Sequence, residues 1–138
     1  MEPPEDQIVD IPAERLKFFG GPGKMLLPSP ATLAALIKKI PEHNLVTTNL
    51  LCQELTHQFK VQGTCPVTTK QALKTVANDA TRKAPYWRVI QANGGLMSSF
   101  PGGVEGQATL LQKEGFAMDR KGKAPKVKDF QKNLVQFR

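Results

Sequence analysis

Cysteine, histidine and long apolar runs are scarce in this chain. Only two of its 138 residues are cysteine, and only two are histidine. Two cysteines cannot build a disulfide framework, and no Cys/His spacing is that of a zinc site, so we expect no metal and no cofactor. No run reaches the roughly 18 apolar residues of a membrane-spanning helix. These absences favour a reducing, cytoplasmic setting without a membrane.

The first residues lack the features of a signal peptide. The chain begins MEPPEDQ, which is acidic and proline-rich, whereas a secretory signal begins with basic residues and an apolar run. We therefore predict no signal peptide. A length of 138 residues and a hydrophobic content of 40% suit one globular domain.

Charge is distributed unevenly along the chain. The formal net charge is +7, but residues 1–14 carry five acids and no base. Residues 120–138 carry seven bases against one acid, and residues 15–119 carry twelve bases against six acids. A basic body with a basic tail attracts polyanions, of which nucleic acid is the commonest. A merely solubilising surface is the alternative, and composition does not separate the two.

Proline, glycine and charge divide the chain into three regions. Residues 1–29 are predicted to form a partly ordered arm, because six prolines by residue 30 and the run Gly20–Gly23 interrupt regular structure. Residues 30–116 are predicted to be the domain itself. Residues 117–138 form a basic tail, in which Val127, Phe130 and Leu134 hint at a short amphipathic helix. This tail is either a DNA-binding extension or a solubilising end.

Capping residues and apolar periodicity predict four helices. These cover residues 30–40, 48–59, 66–78 and 104–114, with Ser29 capping the first, Thr47 or Thr48 capping the second and Gly115 ending the last. The second and third helices, separated by a turn with Gly63, are typical of a helix-turn-helix. The third would bury Ala72, Leu73, Val76 and Ala77 and leave Lys70, Gln71 and Lys74 outside.

A hairpin is predicted after these helices. The pair Asn93-Gly94 separates the β-prone runs 86–90 and 96–97, and such a pair favours a tight hairpin turn because both residues adopt positive φ. A hairpin directly after a helix-turn-helix is a wing. The predicted fold class is therefore mainly α with a small β-hairpin, a winged helix-turn-helix domain.

An ordered set of motifs runs from residue 85 to residue 115. It reads PYWRVI at 85–90, Asn93-Gly94, Gly102-Gly103 and LLQKEG at 110–115. Together with Ile40-Pro41 and Val46-Thr47, this set resembles the DNA-binding domain of the O6-alkylguanine-DNA alkyltransferases over roughly residues 30–116. The family signature is Pro-Cys-His-Arg-Val, a short hairpin, a Gly-Gly pair and a Leu-Leu-x-x-Glu-Gly helix. The resemblance implies binding of double-stranded DNA with the alkylated base flipped into a pocket.

The family's reactive residues are replaced here. Tyr86 stands at the position of the nucleophilic cysteine, and Trp87 stands at that of the activating histidine. A phenol with a pKa near 10 is a poor substitute for a thiolate, so we predict that the chain is not an enzyme. Glu114 matches the family's carboxylate, but without the cysteine and the histidine we expect it to have nothing to orient.

Such a replacement resembles the alkyltransferase-like proteins, which lack the cysteine. The implied role is to sense O6-alkylguanine by base flipping and to flag it to a DNA-repair protein. The alternative is a winged-helix module for general DNA binding or protein interaction, with a vestigial pocket. A third hypothesis is an active alkyltransferase that uses Cys65 or Cys52.

The resemblance and the helix-turn-helix pattern imply two sets of site residues. The lesion pocket would contain Tyr86, Trp87, Arg88, Ser98 and Ser99. The DNA contacts would be Thr47, Thr48, Lys70, Gln71, Lys74 and Asn93. Arg88 would either contact phosphate or tie its loop to backbone carbonyls, while Tyr86 and Trp87 would either stack on a base or plug the pocket.

Overall fold

The fold is mixed α/β, with helices packed beside small sheets. The structure is a computed structural model that describes residues 6–79, 81, 83–122 and 124–135. Its α-helices are α1 (Leu16–Phe19), α2 (Pro30–Ile37), α3 (Thr48–Phe59), α4 (Pro66–Ala77) and α5 (Gly103–Lys113). Its strands are β1 (Gln7–Asp10), β2 (Lys24–Leu27), β3 (Val46–Thr47), β4 (Gly63–Thr64), β5 (Val89–Ile90), β6 (Met118–Asp119) and β7 (Lys126–Val127).

The four helices predicted from the sequence are confirmed, with small differences at their ends. The Ser29 hydroxyl accepts a hydrogen bond from Thr32 N at 3.2 Å, and the Thr47 hydroxyl accepts one from Leu50 N at 3.1 Å. Gly115 follows α5 with a φ of +96°, a conformation that favours glycine. Local capping chemistry therefore sets these boundaries.

The main core lies between α2, α3 and α4. It contains the fully buried side chains Leu33, Ile37, Leu51, Leu55 and Leu73. All four apolar positions predicted for the inner side of α4 are buried. The packing fixes which face of α4 points outward.

The described part of the arm belongs to a three-stranded sheet. Strand β1 pairs antiparallel with β2, and β2 pairs parallel with β4. The Asp6 carboxylate joins this sheet to the start of α2, since it accepts hydrogen bonds from Ser29 N at 2.7 Å and Thr32 Oγ1 at 2.6 Å.

The two-stranded hairpin predicted for residues 86–97 is not formed. Residues Tyr86–Arg88 are a 3-10 helix, and β5 pairs parallel with β3 instead of with residues 96–97. The Asn93-Gly94 pair does lie in a turn, in which Gln91 N donates to Gly95 O at 2.8 Å.

Two glutamine side chains explain this difference. Gln107 of α5 is fully buried, accepts from Met97 N at 2.6 Å, and donates to Val89 O at 2.7 Å and to Trp87 O at 3.0 Å. Gln91 Nε2 donates to Leu96 O at 2.8 Å. Side-chain amides thus occupy the backbone groups that a hairpin ladder would use.

The basic tail is packed on the domain up to residue 135. Strands β6 and β7 pair antiparallel, and Val127 is 3% exposed within a second apolar cluster with Leu45, Ile90 and Leu111. The short helix predicted around residues 127–134 is only a 3-10 turn, Phe130–Asn133, because Val127 belongs to a strand. None of the helices in the described ranges has the length and apolar character needed to cross a bilayer.

Candidate nucleic-acid interface

Tyr86 and Trp87 form an aromatic pair at the start of the segment that Gln107 holds. Their ring centroids lie 5.3 Å apart at an interplanar angle of 82°. The Tyr86 ring also meets Phe100 edge to face, with centroids 5.2 Å apart. Burial raises the pKa of Tyr86, so its hydroxyl is protonated at neutral pH.

The Glu114 carboxylate holds this segment from the end of α5. Trp87 Nε1 donates to it at 2.5 Å, and Arg88 donates through Nε at 3.1 Å and Nη2 at 3.0 Å. The main-chain N–H of His43 adds a bond at 3.4 Å. The expectation that Glu114 has nothing to orient is therefore wrong, because it orients Trp87 and Arg88.

These contacts lower the pKa of Glu114. Burial alone would raise that pKa, but the hydrogen bonds from Arg88 and Trp87 and the charge of Arg88 outweigh burial. The Arg88 and Glu114 side chains are only 10% and 14% exposed. They are a nearly buried ion pair, whose members depend on each other.

All three guanidinium nitrogens of Arg88 donate to groups within the protein. Nη1 donates to Ile40 O at 2.7 Å, and Nε and Nη2 donate to Glu114. Its guanidinium carbon lies 5.8 Å from the centroid of the Trp87 ring. Two roles were expected for Arg88, and these contacts correspond to the second, in which Arg88 ties its loop to a backbone carbonyl.

A surface concavity of about 320 Å³ lies beside the aromatic pair, and we call it the aromatic concavity. It is lined by Ala77, Asp79, Lys83, Ala84, Tyr86 and Trp87. The volume is at the lower end of the range for small-molecule sites, and the ring walls suit a flat, apolar ligand surface. Ser98 and Ser99 do not line it, since they lie exposed in the turn after Met97.

Helix α4 bears exposed basic and amide side chains and ends at the aromatic concavity. Lys70, Gln71 and Lys74 are exposed on this helix, as predicted. Lys70 and Lys74 are one helical turn apart, so their charges lie on the same exposed face. Ala77 lines the aromatic concavity from the buried side of the last turn of α4, so the lysine-bearing helix ends at this concavity.

The other predicted DNA contacts differ in how accessible they are. Thr47 is 5% exposed and its hydroxyl caps α3, so it has no group to offer a ligand. Thr48 is half-buried at the start of α3. Asn93 is exposed, but its Oδ1 accepts from Gly95 N at 2.9 Å and supports the turn.

Lys83, Phe100 and Gln107 are parts of the site that sequence reasoning missed. Lys83 lines the aromatic concavity, Phe100 supports the Tyr86 ring, and Gln107 holds the backbone of Trp87. The one available signal was a glutamine on the inner side of α5, between the apolar positions of that helix. A buried amide at such a position indicates a backbone segment that needs hydrogen bonds.

Cys65 lies at the opposite end of α4 from the aromatic concavity. It precedes Pro66, and a helix of 12 residues places it about 18 Å from Ala77. Arg15 Nη1 donates to its sulfur at 3.5 Å and Thr68 Oγ1 at 3.4 Å. Burial would raise the pKa of Cys65, but the bonds from Thr68 and from backbone N–H groups outweigh it and lower the pKa.

Comparison with known proteins adds no relative to these observations. No protein-family model, no curated protein and no solved structure matches the chain. Within the described ranges, no group of three or more His, Cys, Asp or Glu residues could hold a metal ion. The function must therefore be inferred from the aromatic concavity and the face of α4.

Proposed function

We propose that this chain is a non-catalytic DNA-binding protein of the alkyltransferase-like kind, with a winged-helix arrangement, that senses O6-alkylguanine by base flipping. The observation that carries the proposal is the aromatic concavity, which Tyr86 and Trp87 wall at the end of a helix whose outer face bears Lys70 and Lys74. The partners are double-stranded DNA and a DNA-repair protein. The compartment is the cytoplasm.

In this proposal α4 is the recognition helix. Its exposed lysines bind phosphates and its exposed amide, Gln71, reaches a base edge or the backbone. The α2–α4 and α3–α4 packing keeps this face rigid, because the opposite face of α4 is fully buried. The turn at Asn93 serves as the start of the wing.

The aromatic concavity would receive the flipped base. Extruding a base costs a few kcal/mol of stacking, and base–aromatic contacts return about 1–3 kcal/mol each. Glu114 fixes the Trp87 ring before any base arrives, since it accepts the indole N–H. A wall that is already ordered loses little entropy on binding.

Binding without alkyl transfer follows from the same residues. The Tyr86 phenol has a raised pKa and a hard oxygen, so it is a very weak nucleophile for a saturated carbon. The Cys65 thiol is 5% exposed and lies at the far end of α4. The chain would therefore keep the lesion bound rather than repair it.

A protein-interaction module is the second candidate, and an apolar surface favours it. Phe18 is 70% exposed and Val67 is 49% exposed, and with Arg15 and Pro66 they line a concavity of about 270 Å³. Exposed apolar patches of this kind mark partner surfaces in many proteins. Such a module would bind its partner with little dependence on salt.

The proposal is tested by titrating the protein with a duplex that contains one O6-methylguanine and with the matched unmodified duplex. Fluorescence anisotropy at several salt concentrations gives both affinities. We expect a preference for the alkylated duplex above tenfold, equivalent to about 1.4 kcal/mol, and a steep loss of affinity with salt. Equal affinities would leave general DNA binding, and no binding to either duplex would favour the protein-interaction module.

The same titration with Lys70→Glu and Lys74→Glu combined tests the face of α4. Losing two phosphate contacts should flatten the slope of log Kobs against log salt by about 1.8. Lys17→Glu combined with Lys39→Glu is the control, because it changes the net charge equally at exposed positions outside α4. An unchanged slope in the α4 variant would contradict α4 as the recognition helix.

A further inference from the structure

The hairpin of β6 and β7 carries lysines on an ordered surface. We call residues 118–128, as far as the structure describes them, the basic hairpin. Lys126 and Lys128 are exposed on either side of Val127, which is 3% exposed. Lys126 lies in β7, and Lys128 follows the strand with its N–H still donating across the hairpin to Ala117 O at 2.9 Å, so both side chains lie on the face opposite Val127.

Backbone bonds attach the basic hairpin to the turn that follows β5. Gly95 and Lys126 form an antiparallel bridge, and Val127 N donates to Gly94 O at 2.9 Å. A Cβ at Gly94 would lie 2.6 Å from the Phe130 ring, so the turn and the segment after β7 are in close contact. The hairpin therefore extends the surface that contains Asn93, and its lysines have fixed positions.

The lysines that the structure describes in the basic hairpin form no ion pairs, although Asp119 lies opposite Lys126 across the two strands. Arg120 is paired with Glu105 through bonds of 2.8 and 3.0 Å. In the part of the chain that the structure describes, no carboxylate lies within ion-pair distance of Lys121, Lys126 or Lys128. This arrangement leaves a positive field at the surface rather than a network of ion pairs.

A second concavity, of about 310 Å³, lies on the basic hairpin. It is lined by Met118, Asp119, Arg120, Lys121 and Lys128. The Asp119 carboxylate accepts from the backbone N–H of Lys121 at 3.0 Å, which directs it to the turn. Lysine ammonium groups thus border a recess that is large enough for a phosphate group.

We propose that the basic hairpin is a second contact surface for the DNA phosphate backbone, in addition to the recognition helix α4. This inference rests on the proposed function and adds to it a non-specific anchor. Lys126 and Lys128 are about 6.6 Å apart along the strand, while DNA presents one charge per roughly 1.7 Å of its axis, so both lysines can meet phosphates at once. In this proposal the Asn93 turn and the basic hairpin together act in place of the wing hairpin that is not formed.

The test is Lys126→Gln combined with Lys128→Gln, titrated with the alkylated and the unmodified duplex over a range of salt. We expect binding to both duplexes to weaken on the order of tenfold at 100 mM salt, and the salt slope to flatten by about 1.8. The preference for the alkylated duplex should stay unchanged, because backbone contacts carry no base information. Combination with the α4 double variant should flatten the slope further, by about the same amount again.

Two controls accompany this test. Lys126→Arg combined with Lys128→Arg keeps the charges and should keep affinity and slope. Lys38→Gln combined with Lys39→Gln removes two charges from exposed positions beyond α2 and should have little effect. We expect all variants to melt at nearly the wild-type temperature, because every substituted side chain is exposed.

The outcomes separate this inference from the proposed function. Wild-type binding with an unchanged affinity and slope in the Gln variant would overturn the inference and leave the proposed function standing. An equal loss in the Lys38/Lys39 control would assign the effect to net charge and would also overturn it. Failure of the wild-type protein to bind either duplex would overturn the proposed function, and the inference with it.

Discussion

At the scale of single residues, Glu114 determines how the aromatic wall is presented. It accepts hydrogen bonds from Trp87 and Arg88, and Arg88 in turn donates to Ile40 O. One carboxylate therefore connects the end of α5 to the 3-10 helix Tyr86–Arg88 and, through Arg88, to Ile40 in the segment after α2. Removing its charge would leave Arg88 nearly buried without a counterion.

Glu114→Gln should lower the free energy of unfolding by about 3–5 kcal/mol near pH 7, which is the usual cost of breaking a buried ion pair. The pKa of Glu114 is lowered in the folded state, so its stabilisation is present above the unfolded pKa and is lost as pH falls through the folded pKa. The difference between wild type and variant in urea unfolding should therefore shrink as pH falls below about 4.3.

Glu105→Gln is the matched control for that variant. Glu105 also binds an arginine, Arg120, but their side chains are 65% and 50% exposed. Exposed ion pairs contribute little to stability, so this variant should unfold at nearly the wild-type urea concentration. Equal effects of the two substitutions would contradict the structural importance of the Arg88–Glu114 pair.

Substitutions of Trp87 distinguish a pocket that binds a flipped base from a vestigial pocket. Trp87→Ala should weaken binding to the alkylated duplex more than to the unmodified duplex, because only a flipped base reaches the ring. Trp87→Phe keeps an aromatic face without the N–H donor, and it should retain most of the preference. A loss of roughly 3–5 kcal/mol in stability with an unaltered preference would instead assign the ring to packing.

At the scale of elements, the helices were predicted correctly, but the pairing of β5 with β3 was not, and a hairpin was predicted in its place. The ends of α2 and α3 depend on Ser29 and Thr47, which act on residues three positions away. The pairing of Val89 depends on Val46 and Gln107, which are distant in sequence. Local patterns therefore predicted the exposed lysines of α4, but not Lys83, Phe100 or Gln107 around the aromatic concavity.

Gln107→Leu should lower the free energy of unfolding by about 3 kcal/mol or more, because it leaves buried groups of Met97, Trp87 and Val89 without partners at about 1–3 kcal/mol each. Gln112→Leu is the control, since Gln112 is exposed on the same helix. Urea unfolding measures the free energy of unfolding of both variants. A difference of less than about 0.5 kcal/mol between them would contradict the role given to Gln107.

At the scale of the whole molecule, three apolar clusters connect the arm, the helices and the tail. Ile11, Met25 and Cys65 join the arm to the start of α4. Leu45, Ile90 and Val127 join the tail to α5 and to the segment after α2. Within the residues that the structure describes, the arm, the domain and the tail predicted from the sequence therefore pack together as one body.

The bridge at Leu45 has a consequence for biosynthesis. Leu45 N donates to Asn133 O and Val135 N donates to Leu45 O, each at 2.8 Å. The two segments are far apart in the sequence, since Asn44, which precedes Leu45, is 89 residues from Asn133. A nascent chain cannot close this bridge until residue 135 has left the ribosome. At translation rates of about 5–20 residues per second, Leu45 stays without these partners for roughly 5–20 s. The newly made chain thus offers chaperones a brief, defined period of access to a surface that the finished protein buries.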